Sequence, residues 1–89
     1  MTLTKQHLKN NFTKAKETNS PFVFVVIVAE GVEEVIVIPQ RSFEAKEEFY
    51  LNAYGDDLTH VMNKNVYIRG LSFGRANELS RIIQIADGR

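Results

Sequence analysis

The sequence predicts an α+β domain with the element order α-β-β-α-β-α, in which helices cover a three-stranded mixed sheet. One observation is a run of aromatic and β-branched residues from Phe22 to Val28, answered by a second run from Val32 to Ile38, a pattern typical of a β-hairpin. The other is the helical spacing of apolar residues in segments before and after these runs. A chain of 89 residues is expected to form one domain, residues 1–89.

The hairpin is the element that the other segments are expected to cover. Gly31 supplies the positive φ of a two-residue turn at Glu30-Gly31, which places Ala29 opposite Val32. Because side chains alternate along a strand, both faces of the ribbon are apolar. One face carries Phe22, Phe24, Val26, Val28, Val35 and Val37, and the other carries Val23, Val25, Ile27, Ile36 and Ile38.

Helices are predicted on both sides of the hairpin. Thr2 or Thr4 can cap a first helix that runs to about Glu17, with Leu8, Phe12 and Ala15 as its apolar stripe. Ser42 is expected to cap a second helix from about Phe43 to Tyr54, closed by Gly55 as a left-handed C-terminal residue. Its apolar positions form two adjacent stripes, both predicted to lie in the core: Phe43, Tyr50 and Tyr54, and Ala45, Phe49 and Ala53.

The stretch from Asp56 to Lys64 can extend the second helix, form a short strand or make an irregular arm, and we favour a loop with a little extended structure. A third strand is predicted from Val66 to Leu71, with Val66 and Ile68 on one side and Tyr67, Arg69 and Leu71 on the other. A final amphipathic helix is predicted from about Arg75 to Ala86, with the stripe Leu79, Ile82, Ile83 and Ala86.

The predicted strand order is 2-1-3. A right-handed crossover through the second helix sets the third strand parallel to the second, and the most apolar strand then lies in the centre. Glu33 and Glu34 are left at an edge of the sheet, where charge discourages pairing with other chains.

Charge is balanced overall, with eleven basic and eleven acidic residues, but it is segregated along the chain. Residues 1–20 and 58–89 are net basic, whereas residues 30–57 are net acidic. The expected interaction surface consists of the basic residues Lys5, Lys9, Lys14, Lys16, Arg75 and Arg81. The lysines also fit an ordinary solvated helix face. No strongly basic nucleic-acid-binding protein is indicated.

The sequence carries no recognisable catalytic motif. It has no cysteine, hence no thiolate nucleophile or cysteine zinc site, and no phosphate-binding glycine loop, so we expect no catalytic residue, metal or cofactor. Asp56, Asp57 and His60 are close enough in sequence to suit a metal or acid-base site, although a solvated turn is the commoner meaning of such a cluster. The absence of cysteine and of an apolar N-terminal run favours a soluble, cytoplasmic protein without membrane attachment.

The segment from Phe49 to Gly74 resembles a pattern in small uncharacterised proteins of Firmicute phages and related mobile elements. In these proteins a helix with paired tyrosines precedes an acidic loop with leucine and a strand that closes in an aromatic-glycine step. The matching residues are Phe49, Tyr50, Tyr54, Asp56, Asp57, Leu58, Val66, Ile68, Phe73 and Gly74. The resemblance implies a phage or prophage accessory protein that acts by binding.

We therefore expect a non-enzymatic accessory protein that binds and modulates a host or phage protein. A homodimer is also expected, because helices that all pack on one sheet face leave the other face apolar and open. The alternative is a nucleic-acid-binding module that uses the basic first helix and the C-terminal arginines.

Overall fold

The computed structural model describes residues 3–75. In order along the chain they form α1 (Lys5–Glu17), β1 (Phe22–Ala29), β2 (Val32–Pro39), a short 3-10 turn (Gln40–Ser42), α2 (Phe43–Ala53) and β3 (Val66–Gly74). The α+β class and the order of these elements are as predicted. Apart from Arg75, the predicted final helix lies outside the described residues.

Helix α1 begins at a reciprocal cap between Thr4 and His7. The Thr4 hydroxyl accepts from the His7 backbone N–H, and the Thr4 backbone N–H donates to Nδ1 of His7 at 3.0 Å, so two otherwise unpaired amides of the first turn are satisfied. The predicted stripe of Leu8, Phe12 and Ala15 is fully buried. The helix ends before Pro21, with the Thr18 hydroxyl on the Lys14 carbonyl at 2.8 Å.

The β1–β2 hairpin has the predicted register, from Ala29 opposite Val32 to Val23 opposite Ile38. Glu30 and Gly31 have φ angles of 52° and 80°, the pair of positive values that a type I′ turn requires. The turn follows the right-handed twist of the two strands, and this match fixes their alignment.

The sheet order β2-β1-β3 is as predicted, but the sheet is antiparallel throughout instead of mixed. The reason is topological. The second and third strands run in the same direction, yet neither is the other's neighbour, because each pairs only with the central strand β1.

Strand β3 differs from the prediction in length and in the direction of its side chains. It continues to Gly74, and its register with β1 shifts between Val26 and Ile27, where a β-bulge adds one residue around Arg69. The extra residue reverses the alternation, so Leu71 joins Ile68 on the helix-covered side rather than opposing it. At Gly70 a Cβ would meet Val26 Cγ2 at 3.3 Å, so a side chain there would crowd the central strand.

The core lies between the helices and one face of the sheet. Phe12 of α1 meets Phe43 of α2 edge to face at 5.9 Å between ring centroids. Both helices pack on the sheet face that carries Val23, Val25 and Ile38. Burial of one apolar face of each element accounts for this two-layer arrangement.

Three predictions for α2 are wrong in whole or in part. In the second stripe Ala45 and Phe49 are exposed, and Phe49 keeps 55 % of its accessible surface, whereas Ala53 packs against the core beside the Phe43–Tyr50–Tyr54 stripe. Ser42 makes no side-chain cap, since it belongs to the preceding 3-10 turn. Gly55 does not adopt the left-handed conformation after the helix; Leu58 does, with φ 60°.

The stretch after α2 is a loop with a little extended structure, as favoured from the sequence. It makes two isolated bridges, Tyr54 with His60 and Thr59 with Tyr67. Leu58 is fully buried in the core and anchors the loop to the domain.

The second sheet face is the one that neither α1 nor α2 covers. Phe24, Val26 and Val28 are nevertheless buried there. Arg69 Nε and Glu33 Oε1, on the two outer strands, lie 2.9 Å apart and so bridge over the central strand. None of the helices in residues 3–75 has the length and apolar character needed to cross a membrane.

Candidate protein-interaction site at the β3 edge

The four lysines of α1 do not form one surface. At about 100° of rotation per residue, Lys5, Lys9 and Lys16 share one flank of the helix, while Lys14 lies on the opposite flank. The first flank faces α2, where Lys16 Nζ contacts Glu47 Oε1 at 3.2 Å. Part of its charge is therefore neutralised within the domain.

Of the two C-terminal arginines in the predicted surface, Arg75 is among the described residues and Arg81 is not. Arg75 is exposed and directly follows β3, the strand toward which the Lys14 flank is turned. Among residues 3–75, the structure thus places Lys14 and Arg75 on one side of the domain and Lys5, Lys9 and Lys16 on another.

Asp56, Asp57 and His60 serve the loop that carries them. Asp57 Oδ1 accepts the Thr59 N–H at 3.0 Å, and His60 Nδ1 accepts the Met62 N–H at 3.0 Å, both local turn contacts. The Asp56 carbonyl accepts the Lys5 N–H at 3.1 Å. Within residues 3–75, no three such side chains are grouped as a metal site.

Among residues 3–75, backbone contacts cover the first half of the outer edge of β3. The Ile68 N–H donates to the Leu58 carbonyl at 2.9 Å, and the His60 N–H donates to the Val66 carbonyl at 2.8 Å. In the described part of the chain no strand pairs with the outer edge from Gly70 to Gly74. This open half is called the β3 edge below.

The backbone of the β3 edge presents hydrogen-bonding groups to the outside. Phe24 lies opposite Ser72, and the two-residue turn directs the backbone groups of Ala29 and the other odd-numbered residues of β1 toward β2, so those of Phe24 face Ser72. The backbone groups of Ser72 therefore point toward β1, and its carbonyl also accepts from Asn11 Nδ2 at 3.0 Å. Because backbone direction alternates along an antiparallel strand, Leu71 and Phe73 direct their backbone groups outward, without a strand partner among residues 3–75.

A groove of about 300 Å³ runs between this edge and the Lys14 flank of α1. Leu71 and Phe73 supply apolar surface at the bottom of the groove. Polar side chains from successive turns of α1 form the opposite wall. The lining residues are Leu3, His7, Asn10, Asn11, Lys14, Leu71 and Phe73.

The electrostatics of this groove are one-sided. Lys14 and His7 are the titratable groups among its lining residues in the described part of the chain, and none of these residues is a carboxylate. His7 Nδ1 accepts the Thr4 N–H, so the neutral ring carries its proton on Nε2. The groove therefore offers hydrogen-bond donors and positive charge above an apolar floor.

A second depression of about 310 Å³ lies beside the 3-10 turn. It is lined by charges of both signs, Lys16 and Arg41 with Glu44, next to Gln40 and Phe43. Its described lining comes from α1, the 3-10 turn and α2 and includes no strand residue, so it lacks the pairing groups that distinguish the groove at β3.

The β3 edge was not predicted from the sequence. The one feature that could have indicated it is the strand order 2-1-3, which makes β2 and β3 the outer strands. Of these two strands, only β2 carries the acidic residues Glu33 and Glu34, which discourage pairing with another chain. Asn11 and Ser72 are sixty-one positions apart, and the groove exists only because the fold brings α1 alongside β3.

No protein-family model, curated protein or solved structure matches this chain. The geometry of the site is therefore the basis for the function proposed below.

Proposed function

We propose that this protein is a non-enzymatic binding module that accepts an extended segment of a protein partner along the β3 edge. The observation that carries the proposal is the strand segment from Gly70 to Gly74, which has no outer strand partner in the described part of the chain and lies beside a groove with an apolar floor. Addition of a strand to an exposed sheet edge is a general mode of peptide recognition. An accessory protein of a phage or mobile element, as the sequence resemblance implies, would use it to modulate a host or phage protein.

Backbone pairing would supply affinity at this edge. Five residues of strand extend about 17 Å, and each hydrogen bond contributes about 0.5–1.5 kcal/mol net. Every second side chain of the added strand would enter the groove, against Leu71 and Phe73. Specificity would then come from those side chains.

The test compares Phe73→Pro with Phe73→Val in the full-length chain. Both changes remove the aromatic ring, but only proline removes the outward N–H, and neither removes a β1–β3 ladder bond. Peptides of eight residues are selected on the wild-type protein from a random displayed library, and their affinities are measured by fluorescence anisotropy.

We expect the selected peptides to bind Phe73→Pro at least about tenfold more weakly than Phe73→Val, because one pairing bond and its neighbours are lost. Backbone amide signals of Gly70 to Gly74 should move on binding to the wild type. Equal affinity for Phe73→Pro and Phe73→Val, or selection of no peptide, would refute docking at this edge. Folding of the proline variant is checked by circular dichroism.

The nucleic-acid alternative, which was predicted on Lys5, Lys9, Lys14, Lys16, Arg75 and Arg81, stays a prediction. Of these residues, Lys5, Lys9 and Lys16 share one flank of α1. Retention on immobilised DNA or RNA should fall steeply as salt rises if phosphate contacts hold the complex. Lys9→Glu should then weaken retention. A protein that does not bind at low salt would end this alternative.

A further inference from the structure

We infer that the segment accepted at the β3 edge is acidic, with a carboxylate beside Lys14 and an apolar side chain on Leu71 and Phe73. This inference rests on the proposed function. It adds the chemistry of the partner to the location of its docking site.

The charges around the groove are the first reason. Lys14 is exposed and has no carboxylate partner within 4 Å among the described residues, whereas Lys16, two positions further, is paired with Glu47. Glu17 is one helical turn from Lys14 but does not line the groove. On the strand side the nearest charged residue in sequence is Arg75, which is also positive.

The same charges argue against a second β3 as the occupant. In a symmetric antiparallel pair of β3 edges centred near Ser72, Arg75 of one copy would lie opposite Arg69 of the other. Like charges held together in an interface are unfavourable. The β2 strand of another copy carries Glu33 and Glu34, but that contact would be heterologous and would leave open ends, which produces filaments rather than a closed assembly.

The spacing in an extended strand gives the pattern of the segment. Side chains two residues apart lie on the same face, about 7 Å from each other. An apolar residue on Leu71 and Phe73 thus places a residue two positions away over the α1 wall, within reach of the long Lys14 side chain. The pattern is apolar-x-acidic in either direction of the strand.

The experiment uses three blocked peptides with the sequence Thr-X-Thr-Val-Thr-X-Thr, where X is Glu, Gln or Lys. The valine and both X residues share a face, so the peptide fits in either strand direction. Affinities for full-length wild type, Lys14→Glu and Lys9→Glu are measured by fluorescence anisotropy at two salt concentrations. Lys9→Glu is the matched control, because it makes the same charge change on the other flank of α1.

We expect the wild type to bind the Glu peptide at least about tenfold more tightly than the Lys peptide, and we expect added salt to reduce this difference. Lys14→Glu should reverse the preference, and Lys9→Glu should keep it. Equal binding of all three peptides, with Gly70 to Gly74 signals still moving, would overturn the acidic partner while leaving edge docking intact.

Failure of all three peptides to bind at millimolar concentration would overturn both proposals. Sedimentation of the free protein supplies a further check. Growth of species larger than a dimer would identify the acidic β2 strand of another copy as the occupant and contradict a separate partner.

Discussion

At the scale of single residues, the contribution of the Thr4 cap to stability can be measured by a single substitution. Thr4→Ala removes the hydroxyl that accepts the His7 N–H, and loss of such a cap costs about 1 kcal/mol. Urea unfolding should show this decrease in the free energy of unfolding. Thr13→Ala, at an exposed position within the same helix, is the control and should be neutral or slightly stabilising. Equal effects of the two changes would contradict the role of the cap.

Tyr50 gives the protein a defined response to alkaline pH. Burial, followed by the nearby Tyr54, raises the pKa of Tyr50 to about 12, whereas a free tyrosine has a pKa of 10.0. The unfolded state therefore loses this proton first, so the stabilising contribution is complete below about pH 10 and is lost between about pH 10 and 12.

The measurement is the free energy of unfolding against pH for wild type and Tyr50→Phe. The variant keeps the ring and removes the titrating hydroxyl, so its stability should fall less between about pH 10 and 12. Burial also raises the pKa of Tyr54, and some decline should remain in the variant. Identical curves would show that Tyr50 does not titrate as its surroundings require.

At the scale of elements, α2 separates a core aromatic from an exposed one. Phe43 is buried against Phe12, and Phe49 is 55 % exposed. Phe43→Ala should cost about 3–5 kcal/mol, a large share of the stability of a domain this small, while Phe49→Ala should change stability by under about 1 kcal/mol. Thermal unfolding of both variants tests this contrast, and a large loss for Phe49→Ala would place it in the core after all.

The hairpin turn depends on the backbone of Gly31 rather than on space around it. No atom within 4 Å would meet an added Cβ, but the φ of 80° is unfavourable for most side chains. Gly31→Ala should therefore cost about 1–2 kcal/mol, and Gly31→Asn should cost less because asparagine tolerates the left-handed region. Equal stability of wild type and Gly31→Ala in urea would exclude this explanation.

The features that depend on residues close together in the sequence were predictable from it. The Glu30-Gly31 turn fixed the hairpin register, and the spacing of Leu8, Phe12 and Ala15 fixed the buried side of α1. The bulge at Arg69 was not predictable, because the shift is created by pairing with β1. The exposure of Phe49 was not predictable either. Helical periodicity identifies an apolar stripe, but it does not show which stripe meets the core.

At the scale of the whole molecule, the same distinction applies to the candidate site. Helical spacing is enough to put Lys14 and Lys9 on different flanks of α1, but only the fold shows that one flank faces α2 and the other borders the groove at β3. The β3 edge depends on contacts between α1 and residues some sixty positions later. A residue pattern within one helix or strand does not indicate which distant segment will pack beside it.

A homodimer through the second sheet face stays a prediction at this scale. Val37 and Tyr67, each 40 % exposed, are apolar surface that a second copy would bury. We expect sedimentation at tens of micromolar to show a dimer, and we expect Val37→Glu to dissociate it, with Val32→Glu near the turn as the control. A single species of the 10.2 kDa monomer would contradict the dimer.

The central position of β1 has a consequence for how the chain folds as it leaves the ribosome. The hairpin is complete at Pro39, but the other side of β1 waits for Val66–Gly74, nearly thirty residues later. During that interval the uncharged, apolar strand β1 is paired on one side only. Uncharged segments with a high β-propensity readily associate with other chains. The risk of aggregation with other newly made chains is therefore greatest while residues 40–74 are being synthesised.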